Sequence, residues 1–385
     1  MINMVSVMPY LALALECAGI DYELFEKGEF APQLGASIGL HPHALRILDQ
    51  LGVQQDIGRA VVPLRDRIHY DEHGRCFEES HVLAEISNIL QRPIVFMERS
   101  EALKILHDHI QDKLRLHASN GIVGYEETTD GVLVTTQDST THHGHILVGA
   151  DGIHSRMRQL MAERIGKEDP RLAIELVQGF TSEYNCIFGV SNNQKSPFLA
   201  NGTVHNVYYN QFSAVAAAGV DGLVFWFLFV KAAAVSRTPN CPRFSDVDAE
   251  ALIEEFDDAN EGVLKQWNHN RIVLMGDAVH KATINPGLGG NLATEGIAHF
   301  TNILVPLLKA HPMPSFEQLA AAFEEYHARQ RPRTDAVVNM SGRITRYEAQ
   351  ETWLYKLAAQ YVVPLVSDSV KASAYAKRIK ESEEP

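Results

Sequence analysis

The sequence lacks the features of a secreted, zinc-binding or membrane-spanning protein. Its 385 residues include four cysteines, none in a CxxC pair, so neither a disulfide framework nor a zinc knuckle is predicted. No stretch of about 18 consecutive apolar residues occurs, and residues 212–230, the nearest candidate, fit a hairpin better. The N-terminus lacks a secretory signal. We therefore expect a cytoplasmic protein without a spanning segment, with peripheral contact at a membrane as the alternative.

Positive charge is also scarce. Lys and Arg total 34 against 48 Asp and Glu, which gives a formal net charge of −14. A field of that sign repels phosphate backbones and no basic stripe compensates for it, so a nucleic-acid partner is not expected. The hydrophobic share of 45% is ordinary for a globular chain, and the length suits two domains.

The order of predicted elements indicates an α/β fold. Residues 11–19 predict a helix and residues 20–26 a strand, which together form the second half of a βαβ unit. Residues 204–230 predict a β-rich insert with a hairpin turn at 220–222, and helical patterns dominate after about residue 292. We expect one nucleotide-binding domain that is split in sequence by a β domain.

Two strand ends carry groups that suit a dinucleotide. Glu26 ends a strand where dinucleotide folds place an acid for the ribose hydroxyls, although surface strands often end in Glu-Lys too. Residues 149–158, Gly-Ala-Asp-Gly-Ile-His-Ser-Arg-Met-Arg, combine a strand end, a glycine turn and two arginines. Such a turn suits pyrophosphate, and a capped helix with solvated arginines is the alternative.

The most specific pattern is Gly-Asp-Ala-Val-His at residues 276–280, followed by Asn-Pro-Gly-Leu-Gly-Gly-Asn at 285–291. Asp277 can accept hydrogen bonds from a polyol, and the glycines let the backbone approach a flat ring. A helix that begins near Asn291 directs its positive end at that ring, as a reduced flavin requires.

In order and spacing these motifs resemble the group A FAD-dependent monooxygenases of the aromatic-hydroxylase type, especially the fungal enzymes of meroterpenoid and indole-diterpene biosynthesis. The resemblance covers nearly the whole chain and implies a Rossmann-like FAD-binding domain interleaved with a β-sheet substrate domain, followed by a helical C-terminus. Similar segments are residues 33–42, 96–99, 184–191 and 225–231. The expected ranges are 1–165 and 266–345 for FAD, 166–265 for the substrate domain and 346–385 for the C-terminal segment.

The resemblance also implies residue roles. Tyr208 is the candidate active-site tyrosine, with packing in the sheet as the alternative. No metal is expected, because the histidines at 142, 143 and 145 lie in a polar hairpin without thiolate or paired carboxylate. The FAD-binding residues would be Glu26 at the ribose, Ala36 and Gly39 along the cofactor, Arg99 between ribityl and phosphate, Asp151 and Gly152 beside the dinucleotide and the NADPH approach, Asp277 at ribitol, and Gly290 with Asn291 beneath the isoalloxazine.

Enzymes of this kind use NADPH and O2 to transfer one oxygen atom to a small substrate through FAD. The apolar residues 223–230 suit a prenylated, terpenoid or aromatic substrate, and epoxidation and hydroxylation both remain open.

The N-terminus departs from the family pattern. No glycine precedes Gly19, so the strand and GxGxxG loop that cradle the pyrophosphate are expected to be missing or abbreviated. The alternative function is therefore a non-catalytic flavoprotein relative that lacks a competent pyrophosphate site.

Overall fold

A computed structural model describes residues 2–4, 8–31, 37–193, 196, 198–240 and 256–380. At residues 2–4, 256–260 and 380 it describes the backbone alone. Ala36 and Cys241 lie outside the described residues.

The strands, in chain order, are β1 (Ile2–Met4), β2 (Leu24–Phe25), β3 (Ser37–Leu40), β4 (Asp66–Tyr70), β5 (Cys76–Ser80), β6 (Val95–Glu98), β7 (Leu116–His117), β8 (Ile122–Glu127), β9 (Val132–Thr136), β10 (Thr141–Gly144), β11 (Leu147–Ala150), β12 (Thr181–Asn192), β13 (Thr203–Tyr209), β14 (Phe212–Val220), β15 (Leu223–Arg237), β16 (Phe256–Val263), β17 (Asn268–His269), β18 (Ile272–Leu274) and β19 (His280–Lys281). The helices are α1 (Met8–Ala18), α2 (Pro42–Gln50), α3 (Gln54–Ala60), α4 (Val82–Leu90), α5 (Arg99–His109), α6 (Arg156–Ile165), α7 (Pro170–Gln178), α8 (Gly289–Ala310), α9 (Phe316–Glu348), α10 (Trp353–Leu357) and α11 (Asp368–Lys380).

A mostly parallel sheet forms the first layer, in the order β17-β18-β11-β1-β2-β7. Strand β1 pairs in parallel with β11 on one side and β2 on the other. The chain thus leaves β1 toward β2 and β7, whereas β11 and β18 extend the sheet in the other direction. The crevice at the carboxyl ends of β1 and β11 is therefore a topological switch point, where doubly wound folds bind ligands.

An eight-stranded sheet forms the second layer, in the order β19-β16-β12-β15-β14-β13-β4-β5. Strands β4 and β5 come from residues 66–80, within the range expected for the first part of the cofactor domain. The predicted hairpin at 220–222 joins β14 to β15. Along β15, Phe225, Phe227 and Phe229 are buried while Trp226 and Leu228 are half-buried, so one face of the strand forms the interior wall. The almost continuous apolar run at residues 223–230 is typical of a buried strand, whereas the structure leaves the opposite face half-buried.

Long helices complete the fold. The apolar spacing in the sequence predicts a helix over residues 316–328. The helix α9 starts at a capping box formed by Ser315 and Gln318 and runs for 33 residues, far beyond that range. Arg, Gln and Pro at residues 329–333 hide its apolar periodicity in the sequence. The helix α11 packs against α4 at the edge of the large sheet. Within the described ranges, no helix combines the length and apolarity needed to cross a membrane.

Candidate active site

A cleft of about 360 Å³ opens at the switch point of the parallel sheet. We call it the cofactor cleft. It joins the end of β11, the start of α5, the turn after β18 and the N-terminus of α8. The sequence-predicted residues that line it are Gly39, Arg99, Asp151, Gly152, Asp277 and Gly290. Residues separated by up to 251 positions in the chain are thus brought to one groove.

Glu26 follows β2 and is 6% exposed. Its Oε1 accepts a hydrogen bond from the backbone N–H of Gly28 at 3.0 Å. Burial raises the pKa of Glu26 to about 7, since the charged form is poorly solvated there. A buried carboxylate at the end of the second strand suits hydroxyl donors such as those of a ribose.

Asp277 lies at the turn after β18, next to Lys281. The Lys281 Nζ and Asp277 Oδ2 atoms are 2.6 Å apart. Burial alone would raise the pKa of Asp277, but the Lys281 ion pair outweighs it and the pKa falls below its usual value. Its second oxygen, Oδ1, has no partner among the described residues and can accept a hydrogen bond from a polyol.

Asp151 lines the cofactor cleft, and its side chain also holds the turn that precedes α6. Its Oδ2 accepts the backbone N–H of Met157 at 2.9 Å, and its Oδ1 accepts the hydroxyl of Ser155. Both oxygens therefore accept hydrogen bonds from the N-terminus of α6. The backbone around Gly152, which has φ +78°, faces the cleft. Asp151 shapes the cleft through the turn that it holds.

The two arginines of this motif lie away from the cleft. Arg158 is buried; its Nη1 donates to the carbonyl of Ala278 at 2.8 Å and its Nη2 to the carbonyl of Ile153. Arg156 instead reaches the carbonyl of Val123. Arg158 therefore ties the turn of Asp151 to the turn of Asp277, and the cleft cations are Lys27, Arg99 and Lys281.

Asn291 clamps the two glycine segments beside the cleft. It is fully buried, and its Nδ2 donates to the carbonyls of Gly39 at 2.7 Å and Gly287 at 2.8 Å. Its Oδ1 accepts the backbone N–H of His41 at 2.7 Å. The side chain predicted to lie under a flavin thus fixes β3 against the glycine-rich turn.

Glycine is required at the turn before α8. Gly287 has φ +65°, a left-handed conformation that disfavours side chains. A Cβ on Gly290 would lie 3.1 Å from Ile38 Cδ1, whereas one on Gly289 would meet open space. The helix begins at Gly289, two residues before its predicted start, and directs its N–H groups toward the cleft.

A second cavity of about 140 Å³ continues from the cleft along the large sheet. We call it the inner pocket. The two cavities share Ser37, Gly39, Phe227, Ile284 and Gly287. The remaining wall is mainly apolar, and its apolar side chains are Leu64, Leu83, Ile94, Phe96, Val204, Val215, Ala217, Phe229 and Pro286. The arrangement places an apolar chamber directly beside the end of the cofactor cleft.

The apolar wall also contains one ion pair, between Arg67 and Glu348, that the sequence did not predict. Arg67 lines the inner pocket; its Nε donates to Asn206 Oδ1 and its Nη2 to Glu348 Oε1, both at 2.9 Å. Asn285 Nδ2 donates to the other oxygen of Glu348 at 2.9 Å. The residues Arg67 and Glu348 are 281 positions apart, and neither lies in a recognisable motif.

Tyr208 is buried behind this group. Its hydroxyl lies 3.0 Å from His69 Nδ1, and its ring packs against Phe77 and Tyr347. The residues that line the two cavities, as far as the structure describes them, do not include Tyr208. A catalytic role for Tyr208 stays a prediction.

The described residues fit FAD. The cleft offers Asp277 Oδ1 for hydroxyls, cations for phosphates, and a glycine cradle for a flat ring, and the buried carboxyl of Glu26 lies next in sequence to the cleft residue Lys27. At the junction of the two cavities, Ser37 Oγ is buried and bonds to no described residue. This fold and site define a flavin-dependent oxidoreductase.

Comparison with known proteins identifies the family. Residues 9–341 match the family described as "FAD binding domain". The chain is 32% identical over 384 residues to the FAD-dependent monooxygenase ptmM of Penicillium ochrochloron, covering 93% of this chain and 90% of the relative. It is 31% identical to penM of Penicillium crustosum, covering 93% and 80%. The chain belongs to the FAD-dependent monooxygenases, which confirms the predicted resemblance, cofactor and enzyme class and leaves the non-catalytic alternative unsupported.

Solved structures confirm the fold. HpxO of Klebsiella pneumoniae, complexed with FAD and uric acid, superposes with a TM-score of 0.76 at 16% identity and covers 99% of this chain and 97% of its own. The tetracycline destructase Tet(51) gives a TM-score of 0.73 at 17% identity, covering 100% and 98%.

Proposed function

We propose that this monooxygenase oxygenates an apolar, prenylated or aromatic intermediate of secondary metabolism, using NADPH as the reductant. The observation that carries the proposal is the apolar inner pocket, which opens directly onto the cofactor cleft. When bound, FAD supplies electron transfer from the nicotinamide and activation of O2. Both epoxidation of an olefin and hydroxylation of a ring are compatible with the apolar wall of the inner pocket.

We propose that the predicted residues hold FAD by the contacts that their geometry allows. Glu26 accepts ribose hydroxyls, Arg99 neutralises phosphate, and Asp277 Oδ1 accepts a ribityl hydroxyl. Asn291 acts indirectly, by holding Gly39 against Gly287. The N–H groups at the start of α8 present positive charge to the flavin ring.

The walls of the inner pocket orient the substrate and exclude water. Phe96, Phe227 and Phe229 form an aromatic side, with the Phe96 and Phe227 ring centroids 6.1 Å apart. His41 stays neutral because burial lowers its pKa to about 4. An apolar, water-poor chamber protects a reactive oxygen donor from unproductive decay.

Turnover with isotopic oxygen tests this function. The purified protein with FAD, NADPH and a panel of prenylated phenols and indoles is expected to give a product that carries one atom from ¹⁸O₂. Mass spectrometry measures the label. NADPH consumption with every substrate yielding only hydrogen peroxide would contradict the proposal, and omission of NADPH is the control.

We further propose peripheral membrane contact through residues 353–366. This segment exposes Trp353, Leu357, Tyr361 and Leu365, and Leu365 is 85% exposed. Trp and Tyr favour membrane interfaces, and clustered exposed apolar side chains favour insertion among lipids. The helix α11 follows this segment and packs on α4, whose residue Leu83 lines the inner pocket. Contact there would bring the pocket close to a lipid-dissolved substrate.

A further inference from the structure

We propose that Arg67 determines substrate specificity by donating a hydrogen bond to a neutral oxygen atom, a carbonyl, ester or hydroxyl, on an otherwise apolar substrate. The inference rests on the proposed function, since it concerns the substrate of the same pocket. The substrate would then carry one polar end, bound by Arg67, and an apolar remainder, which the rest of the pocket wall contacts.

The hydrogen bonds of Arg67 leave one donor group available. Nε and Nη2 are engaged by Asn206 and Glu348, but Nη1 bonds to no residue in the described ranges. The side chain is 28% exposed and lines the inner pocket. Guanidinium geometry is fixed, so its remaining N–H groups have a fixed direction at the pocket wall.

The supporting residues hold Arg67 firmly. Asn206 is fully buried and also donates from Nδ2 to Glu348 Oε1 at 3.2 Å. The Glu348 carboxylate therefore accepts hydrogen bonds from Arg67, Asn206 and Asn285. A donor fixed from behind loses little conformational entropy when it binds a ligand, which favours selective recognition.

Charge balance selects the chemistry of the ligand. Arg67 is the only charged side chain among the described residues that line the inner pocket, and the Glu348 carboxylate already compensates it. A second carboxylate, brought by a ligand, would leave one negative charge uncompensated in an apolar chamber. A neutral acceptor needs no such compensation. The pocket therefore favours a neutral oxygen over an anion.

Three probes with the same prenyl chain test the proposal: geranylacetone, the hydrocarbon in which CH2 replaces its carbonyl, and the carboxylic acid of matching length. Affinity is measured by equilibrium dialysis, which requires no turnover and no flavin signal. The reference variant is Arg67→Met with Glu348→Gln, which removes both charges and avoids a buried unpaired carboxylate. The control is Arg65→Met, since Arg65 is exposed two residues before Arg67.

The ratio of ketone to hydrocarbon affinity is expected to fall about 10-fold or more in the double variant and to stay unchanged in the control. Glu348→Gln alone is expected to raise affinity for the carboxylic acid about 10-fold, because it leaves the charge of Arg67 uncompensated. The proposal would be overturned by an unchanged ketone ratio or by wild-type protein binding the acid most tightly. Flavin content, recorded on the same samples, tests the proposed function separately.

Discussion

At the scale of single residues, most polar side chains around the cofactor cleft either face it with a free atom or hold the backbone that does. Asp277 belongs to the first group, since its Oδ1 has no partner among the described residues, and the proposed ribose contact assigns Glu26 to the same group. Asn291, Asp151 and Arg158 belong to the second. This division predicts different effects of substitution: the first group governs ligand contacts, and the second governs the shape of the cleft.

Glu26 should make FAD affinity depend on pH. Its pKa of about 7 leaves the carboxyl mostly neutral at pH 6 and mostly ionised at pH 8, and the ionised form accepts ribose hydroxyls better. We expect FAD affinity to fall about 10-fold from pH 8 to pH 6. Fluorescence titration of the apoprotein measures it. Glu26→Gln should bind weakly at both pH values, and a wild-type profile in that variant would refute the assignment.

Asn291→Ala should weaken FAD binding without removing any cofactor-facing group. It breaks three hydrogen bonds, two of them buried, and removes a donor from the Gly39 and Gly287 carbonyls, and each loss costs about 1–3 kcal/mol. Chemical denaturation should show reduced stability of the apoprotein together with weaker FAD binding. Asn302→Ala, exposed on the same helix, is the matched control. Unchanged stability would mean that the clamp is unimportant.

At the scale of elements, the turn between β19 and α8 shapes the inner end of the cleft. Gly287→Ala should destabilise the apoprotein by about 1 kcal/mol, because alanine disfavours φ +65°. Gly289→Ala should leave the stability of the apoprotein unchanged, since the added Cβ would meet open space in the first turn of a helix. Thermal unfolding of both apoproteins compares them. Equal losses of stability in the two variants would show that the backbone conformation of Gly287 does not determine whether alanine is tolerated there.

Elements with strong local signals could be predicted from the sequence. The Asp221-Gly222 turn marked the β14–β15 hairpin, and the glycines at 287–290 marked the start of α8 within two residues. The full length of α9 could not be predicted, because charged residues interrupt its apolar spacing. The Arg67–Glu348 pair was also beyond prediction, since tertiary packing of β4 against the end of α9 creates it and no local pattern encodes it.

At the scale of the whole molecule, the C-terminal segment should attach the protein to lipid. Leu357→Glu with Leu365→Glu should reduce co-sedimentation with phosphatidylcholine vesicles at least 10-fold. The two substitutions remove apolar surface that would be buried in the lipid, and they add negative charge. Val235→Glu is the control, since the exposure of Val235 on β15, 59%, lies between those of Leu357 at 45% and Leu365 at 85%. Binding by the wild type should resist high salt. A wild-type protein that stays in the supernatant would contradict the attachment.

The fold assembles two adjoining cavities with complementary chemistry, one polar and glycine-lined, the other apolar. Their junction at Ser37, Gly39 and Gly287 is where cofactor and substrate would meet. The short β1 strand still stands at the centre of the parallel sheet, so the cleft forms without a glycine before Gly19. The function of the molecule therefore depends on the binding of FAD in this cleft.

Titration of the apoprotein with FAD, followed by quenching of flavin fluorescence, tests that claim most directly. We predict saturable binding of one FAD per chain, strongly weakened when Glu26→Gln and Asn291→Ala are combined and retained in Asn302→Ala. Absence of saturable binding by the folded wild-type protein, or full binding by the combined variant, would contradict the account.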